Sequence, residues 1–119
     1  MPVVKAFRVG EAFDPEQVTA YRGCVAAVLL DTLVEGHAGG TGRAFRWDAA
    51  RGVPPIAPIY VAGGLGPESV AEAVRALRPA GVDVSSGVEE RPGIKSVEKM
   101  ESFVRAVREA DRGIEEQMR

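Results

Sequence analysis

The stretch Gly81-Val82-Asp83-Val84-Ser85-Ser86-Gly87-Val88-Glu89 decides the fold. A short β-branched run carries one carboxylate and then breaks into small residues whose backbone amides can face a ligand, as at the end of a phosphate-binding strand. Earlier in the chain, Ile59-Tyr60-Val61-Ala62-Gly63-Gly64-Leu65 makes the same transition, and Pro67-Glu68 then opens a helix. Taken singly, Gly63-Gly64 reads as a tight turn and Ser85-Ser86-Gly87 as a helix entry. Taken together, two strands that end in amide-rich turns form one anion site, with Gly63, Gly64, Ser85 and Ser86 as its phosphate-binding residues.

Working outward, apolar runs of strand length alternate with helix-period segments. Val3–Val9 reads as a strand, Asp14–Arg22 as a helix capped by Asp14 with Pro15 at its first position, and Val25–Leu30 as a second strand. A loop, Thr32–Ala44, and a short helix around Arg46–Ala50 lead to a third strand, Ile59–Ala62. A helix over Pro67–Leu77, with Val70, Ala73, Val74 and Leu77 on one face, precedes the strand Val82–Val84. Ser96 caps the last helix, whose expected core stripe is Met100, Phe103, Val104 and Val107; its many charges form a solvated face. Four strand–loop–helix units in a row, with strands apolar on both faces, call for a parallel sheet. In an eight-stranded β/α barrel the phosphate sits between the loops after the last two strands, at the C-terminal face.

Bulk composition narrows the function. The chain has 119 residues, one domain's worth, with 45% hydrophobic and 27% charged residues, as in ordinary globular proteins. A net charge of −2 without a basic run, and 6% aromatics, leave no footprint for nucleic acid. No apolar stretch approaches the ~20 residues of a membrane span, and Met1-Pro2-Val3-Val4-Lys5 lacks the order of a secretion signal, so a cytoplasmic location is expected. One cysteine, Cys24, and one histidine, His37, provide no metal-ligand constellation, and no cofactor is expected.

Four blocks, in order, carry a resemblance. They are Leu29-Leu30-Asp31-Thr32, Gly39-Gly40-Thr41-Gly42-Arg43-Ala44-Phe45-Arg46-Trp47, Ala62-Gly63-Gly64-Leu65-Gly66-Pro67-Glu68-Ser69-Val70, and Val82 to Glu89 followed by Pro92-Gly93-Ile94-Lys95. In order and spacing they resemble the second half of phosphoribosylanthranilate isomerase, and the likeness runs from Val3 to about Val107. The resemblance implies an α/β fold in which residues 1–119 form half of a (β/α)8 TIM barrel, its fifth to eighth units. It also implies tryptophan biosynthesis, a phosphorylated small-molecule substrate, and either a complementary N-terminal half-barrel or self-association. The family's Lys-x-Cys-Gly block, which carries a catalytic cysteine, does not occur in this sequence.

The family reaction is an Amadori rearrangement of N-(5′-phosphoribosyl)anthranilate to 1-(2-carboxyphenylamino)-1-deoxyribulose 5-phosphate, and it needs an acid and a base. By resemblance Asp31 is the general acid that protonates the furanose ring oxygen; its plainer reading is a turn-forming Asp-Thr pair. A carboxyl serves as an acid near neutral pH when burial or a neighbouring negative charge disfavours its ionised form. Cys24 is a poor substitute for the missing base. It precedes Asp31 by seven residues, roughly 20 Å if extended, which puts it at the opposite end of the strand as a buried structural cysteine.

Asp83 inside a strand is costly to bury unpaired, so it should pair with Lys5 in the barrel interior or contact the substrate; the resemblance favours substrate. The loop Glu35–Phe45 fails the nucleotide-loop pattern and reads as a lid anchored by Phe45 and Trp47, with His37 exposed. Gly64-x-Gly66 with Asp83 downstream loosely echoes a dinucleotide fingerprint, but Ser69 replaces the third glycine. The alternative function is a catalytically inactive half-barrel that binds phosphate or serves in assembly.

Overall fold

A computed structural model describes residues 1–10, 13–31 and 50–118 of the chain. In it β1 (Val4–Arg8), β2 (Ala27–Asp31), β3 (Ile59–Ala62) and β4 (Gly81–Val82) lie side by side in chain order, all parallel. Parallel neighbours need crossovers. A 3₁₀ segment, Pro15–Tyr21, runs between β1 and β2, and helix α1 (Val70–Leu77) between β3 and β4. After β4 come a 3₁₀ turn (Ser86–Val88), an antiparallel hairpin of β5 (Glu89–Arg91) and β6 (Ile94–Lys95), and helix α2 (Val97–Gln117). The expected loop Thr32–Ala44, the lid Glu35–Phe45 with His37, its anchors Phe45 and Trp47, and nearly all of the helix around Arg46–Ala50 lie outside the described residues.

Local chemistry sets the element ends. The Asp14 carboxylate accepts the Glu16 amide at 3.0 Å, and Pro15 opens the segment as expected. That segment is 3₁₀ rather than α, since Val18 is its one buried side chain and helices are held mainly by a packed apolar face. Helix α1 begins later than Pro67 because Ser69 closes a turn first: its Oγ accepts the Gly66 amide at 3.1 Å, and the Ser69 and Val70 amides return to the Gly66 carbonyl. It ends at Arg78, left-handed at φ 45°, whose amide donates to the Val74 carbonyl; Pro79 then bars continuation. Ser96 caps α2 by accepting the Lys99 amide at 3.2 Å.

The α2 stripe differs from expectation. Phe103 and Ala110 are buried, with Ala106, Val107 and Ile114 packed against the same cluster, which is the i, i+3, i+4 seam that meets α1. Met100 and Val104 lie on the flank of that seam and remain 39% and 43% exposed.

Strand alternation divides the sheet into two unlike faces. Lys5, Phe7, Val9, Val28, Leu30, Ile59, Val61 and Val82 point to one face, and all but Lys5 belong to the two hydrophobic clusters under the helical segments. Val4, Ala6, Arg8, Ala27, Leu29, Asp31, Tyr60, Ala62, Gly81 and Asp83 point to the other and belong to neither cluster. Lys5 is therefore not the interior partner of Asp83. Its ammonium sits over the rings of Phe7 and Tyr21, 5.5 and 5.3 Å from their centroids.

These packing differences predict unequal mutational costs. Phe103→Ala should destabilise the chain by about 3–5 kcal/mol, whereas Val104→Ala should cost less than about 1 kcal/mol. Denaturant titration of the two variants measures both.

Candidate active site

Asp31 ends β2. Its Cα pairs in register with Arg8 on β1 and Ala62 on β3, and the Val61–Val82 pair extends that row to Asp83. The next row toward the N-terminal ends is Ala6, Leu29, Tyr60 and Gly81. The face away from the two clusters thus carries ionisable groups at its C-terminal edge and apolar or small groups beneath them. Asp31 is half-buried, while Arg8 and Asp83 are exposed.

Asp83 does not lie inside a strand as expected. β4 spans only Gly81–Val82 rather than Val82–Val84, and Asp83 sits one residue beyond it, its amide donating to the Val61 carbonyl at 2.9 Å. Exposed there, its carboxylate keeps its hydration and needs no buried cation.

Gly63 and Gly64 follow β3 directly, with φ of 88° and 68°. A Cβ on Gly64 would meet nothing within 4 Å, so conformation rather than space demands glycine there. Gly87 is the reverse case. A Cβ on it would overlap the Leu65 carbonyl oxygen and lie 2.8 Å from the carbonyl carbon, so the turns after β3 and β4 are in backbone contact. The turns that carry Gly63, Gly64, Ser85 and Ser86 are thus joined through Leu65 and Gly87.

Ser85 and Ser86 are exposed. Ser85 is held by Lys95, whose Nζ donates to the Ser85 carbonyl at 3.0 Å and to its Oγ at 3.3 Å. The same ammonium meets Glu89 Oε2 at 2.9 Å. That hydrogen bond, with the Lys95 charge and the Gly93 amide, holds the Glu89 carboxyl below its ordinary value of 4.5 against a smaller opposing effect of desolvation. No role was legible for Lys95 in the sequence. The signal that locates it is Pro92-Gly93, a chain-reversing pair with Gly93 at φ 83°, which returns the cation to Ser85.

Cys24 is exposed, contrary to the expectation of burial. It sits in a turn before β2, its amide donating to the Tyr21 carbonyl at 2.9 Å. It does lie at the end of β2 opposite Asp31, as its sequence position implied. Among the described residues no cluster of three or more His, Cys, Asp and Glu could hold a metal, and no helix is long and apolar enough to cross a membrane.

Parallel strands with helices over one face, and polar groups gathered at the C-terminal strand ends, define a β/α protein of the kind that binds its ligand at that end. The profile of the N-(5'phosphoribosyl)anthranilate (PRA) isomerase family matches residues 1–106, and the chain belongs to that family. The N-(5'-phosphoribosyl)anthranilate isomerase of Myxococcus xanthus is 50% identical over 111 residues, which are 91% of this chain and 52% of that protein. Among solved structures, the phosphoribosyl anthranilate isomerase of Thermococcus kodakaraensis is 41% identical with a TM-score of 0.72, covering 90% of this chain and 52% of that one. The Thermotoga maritima enzyme is 35% identical with a TM-score of 0.75, covering 91% and 52%. The chain spans about half the length of the relatives it matches.

Two outcomes follow from the site's geometry. Gly87→Ala should force the two turns apart and destabilise the chain by about 1–3 kcal/mol, read by thermal or denaturant unfolding. The lowered Glu89 value means that its ionised form is favoured by folding: the stabilisation is present above 4.5 and is lost as pH falls through the depressed midpoint. Carboxyl ¹³C titration should place that midpoint below 4.5, and Lys95→Met should move it back up.

Proposed function

We propose that the chain supplies the fifth to eighth units of a (β/α)8 barrel, residues 1–119, and with them the general acid and phosphate site of an isomerase in tryptophan biosynthesis. The observation that carries this reading is the placement of Asp31. It ends β2 on the face away from the hydrophobic clusters, one strand from the residue that precedes the Gly63-Gly64 turn. Neighbouring strands are about 4.8 Å apart, so a phosphate over the β3 and β4 turns sets the adjoining ribose above the Asp31 row. A phosphoribosyl anthranilate isomerase that is 31% identical, in a match covering 91% of this chain and 49% of that one, has been solved in complex with reduced 1-(o-carboxyphenylamino)-1-deoxyribulose 5-phosphate.

In this reading the backbone amides at Gly63 and Gly64 and the amides and hydroxyls of Ser85 and Ser86 bind the 5′-phosphate of N-(5′-phosphoribosyl)anthranilate. Asp31 donates a proton to the furanose ring oxygen as the C1′–O bond breaks, leaving an iminium at C1′. A base then removes the C2′ proton, the C–H electrons form the enamine, and tautomerisation gives the 2-keto product. Asp83, exposed in the same row, contacts the ribose or the anthranilate amine. The base comes from the family's cysteine in the complementary four units, since Cys24 lies at the wrong end of β2. The sheet face away from the clusters and the outer edges of β1 and β4 are the surfaces those units would close.

Asp31→Asn tests the assignment, because asparagine keeps the size and hydrogen bonding of the side chain but cannot deliver the proton. In an assembly containing the complementary half, turnover should fall by ~10²–10⁴-fold with little change in product affinity. Cys24→Ser in the same assembly should leave the rate near wild type. A rate that survives Asp31→Asn would remove it as the acid.

A further inference from the structure

Lys95 reaches Ser85 only because the chain doubles back on itself. β5 and β6 pair antiparallel, and the hairpin is tied at its base: the Ser96 amide donates to the Val88 carbonyl at 2.7 Å, and Lys99 Nζ to the Glu89 carbonyl at 2.7 Å. The hairpin is thus fixed to the first turn of α2. At its end the Lys95 ammonium faces three acceptors, the Ser85 carbonyl at 3.0 Å, Ser85 Oγ at 3.3 Å and Glu89 Oε2 at 2.9 Å. An ammonium has three N–H donors and no acceptor. All three are engaged, so Lys95 has none left for a ligand, and Glu89 balances its charge.

Its effect passes through the backbone. In a trans peptide the C=O and the following N–H point in opposite directions from one rigid plane, and the described residues contain no cis bonds. The Ser85 carbonyl is pinned from one side by Lys95 at 3.0 Å and by the Val88 amide at 3.3 Å. The Ser86 N–H therefore points the other way. We infer that Lys95 is a positioning residue of the phosphate site: braced by Glu89, it fixes the Ser85–Ser86 peptide so that the Ser86 amide is presented to the ligand's phosphate. The inference rests on the phosphate reading proposed above and adds the device that orients the turn.

Calorimetric titration of the chain with a phosphorylated product analogue and its dephosphorylated form separates the two claims. The wild type should prefer the phosphorylated form. Lys95→Met should weaken that form by about tenfold or more, the scale of one charge-assisted hydrogen bond, while leaving the dephosphorylated form unchanged. Adding Glu89→Gln to Lys95→Met restores the local net charge. Positioning predicts that affinity stays low in the double variant, whereas recovery would mean that Lys95 acts only through its field. Lys95→Arg, which retains donors for Ser85 and Glu89, should recover part of the preference. Amide NMR adds a direct readout: inorganic phosphate should shift the Ser86 resonance in the wild type and much less in Lys95→Met. A phosphate preference that survives Lys95→Met, or an equal loss for both analogues, overturns the positioning role alone. No preference in the wild type removes the phosphate site and this inference with it.

Discussion

Where the chain leaves β4, the Gly87 backbone lies against the Leu65 carbonyl with no room for a Cβ between them. The site depends on that contact. It joins two separate strand ends into one surface, and in the proposed phosphate site the glycine turn after β3 and the serine turn after β4 would present amides to the same ligand. It also fixes where the following hairpin starts, and so where Lys95 returns. Close backbone approach of this kind is available only to glycine, and the required partner is itself held: the Gly66 amide and carbonyl are both engaged by Ser69, which is 1% exposed. Ser69 is thus the buried polar residue behind the site, closing the turn whose carbonyl Gly87 touches.

The sheet separates stability from chemistry by face and by end. One face is filled by valine, leucine and phenylalanine under the helical segments; the other carries the row of Arg8, Asp31 and Asp83. Along each strand the alternation of side chains forces this division, so Asp31 cannot be moved to the next position without facing the Val28 and Leu30 cluster. The ends divide in the same sense. Cys24 and the turn before β2 lie at one end, and Asp31, Gly63 and Asp83 at the other. Cys24 and Asp31 therefore stand at opposite ends of β2, whatever their closeness in sequence.

Much of this was legible because it follows from strong local signals. Ile59–Ala62 emerges with its expected bounds, being a short apolar run between Pro58 and paired glycines. The Asp14 and Ser96 caps form as their residue types imply. What failed depended on neighbours remote in sequence. Nothing in the spacing of Met100, Phe103, Val104 and Val107 shows which flank of α2 meets α1, and packing chose the side of Phe103, Val107 and Ala110. Lys5 looked like an ion-pair partner, but its strand parity sends it to the face where Phe7 and Tyr21 offer their rings. Cys24 looked buried because cysteine usually is, but it sits exposed in a turn before β2. Lys95 was missed because its partners lie ten and six residues back and meet it only after the hairpin closes.

The misplaced stripe on α2 bears on the barrel reading. Val97, Met100 and Val104 stay 64%, 39% and 43% exposed on the flank turned away from α1, and on the sheet Val4 and Tyr60 stay 58% and 40% exposed. These are two apolar surfaces on different layers, one on a helix and one on strands. A small ligand would cover neither, and one partner helix would cover only the first. In the proposed barrel, a further set of β/α units adding strands beside β1 and β4 and a helix beside α2 would meet both layers at once, because in a closed barrel each unit contributes to the inner and the outer ring together. The same closure would enclose the Arg8, Asp31 and Asp83 row, which on the open sheet lies at an edge, and would give the proposed acid the water-poor surroundings in which proton transfer to a ring oxygen is most effective.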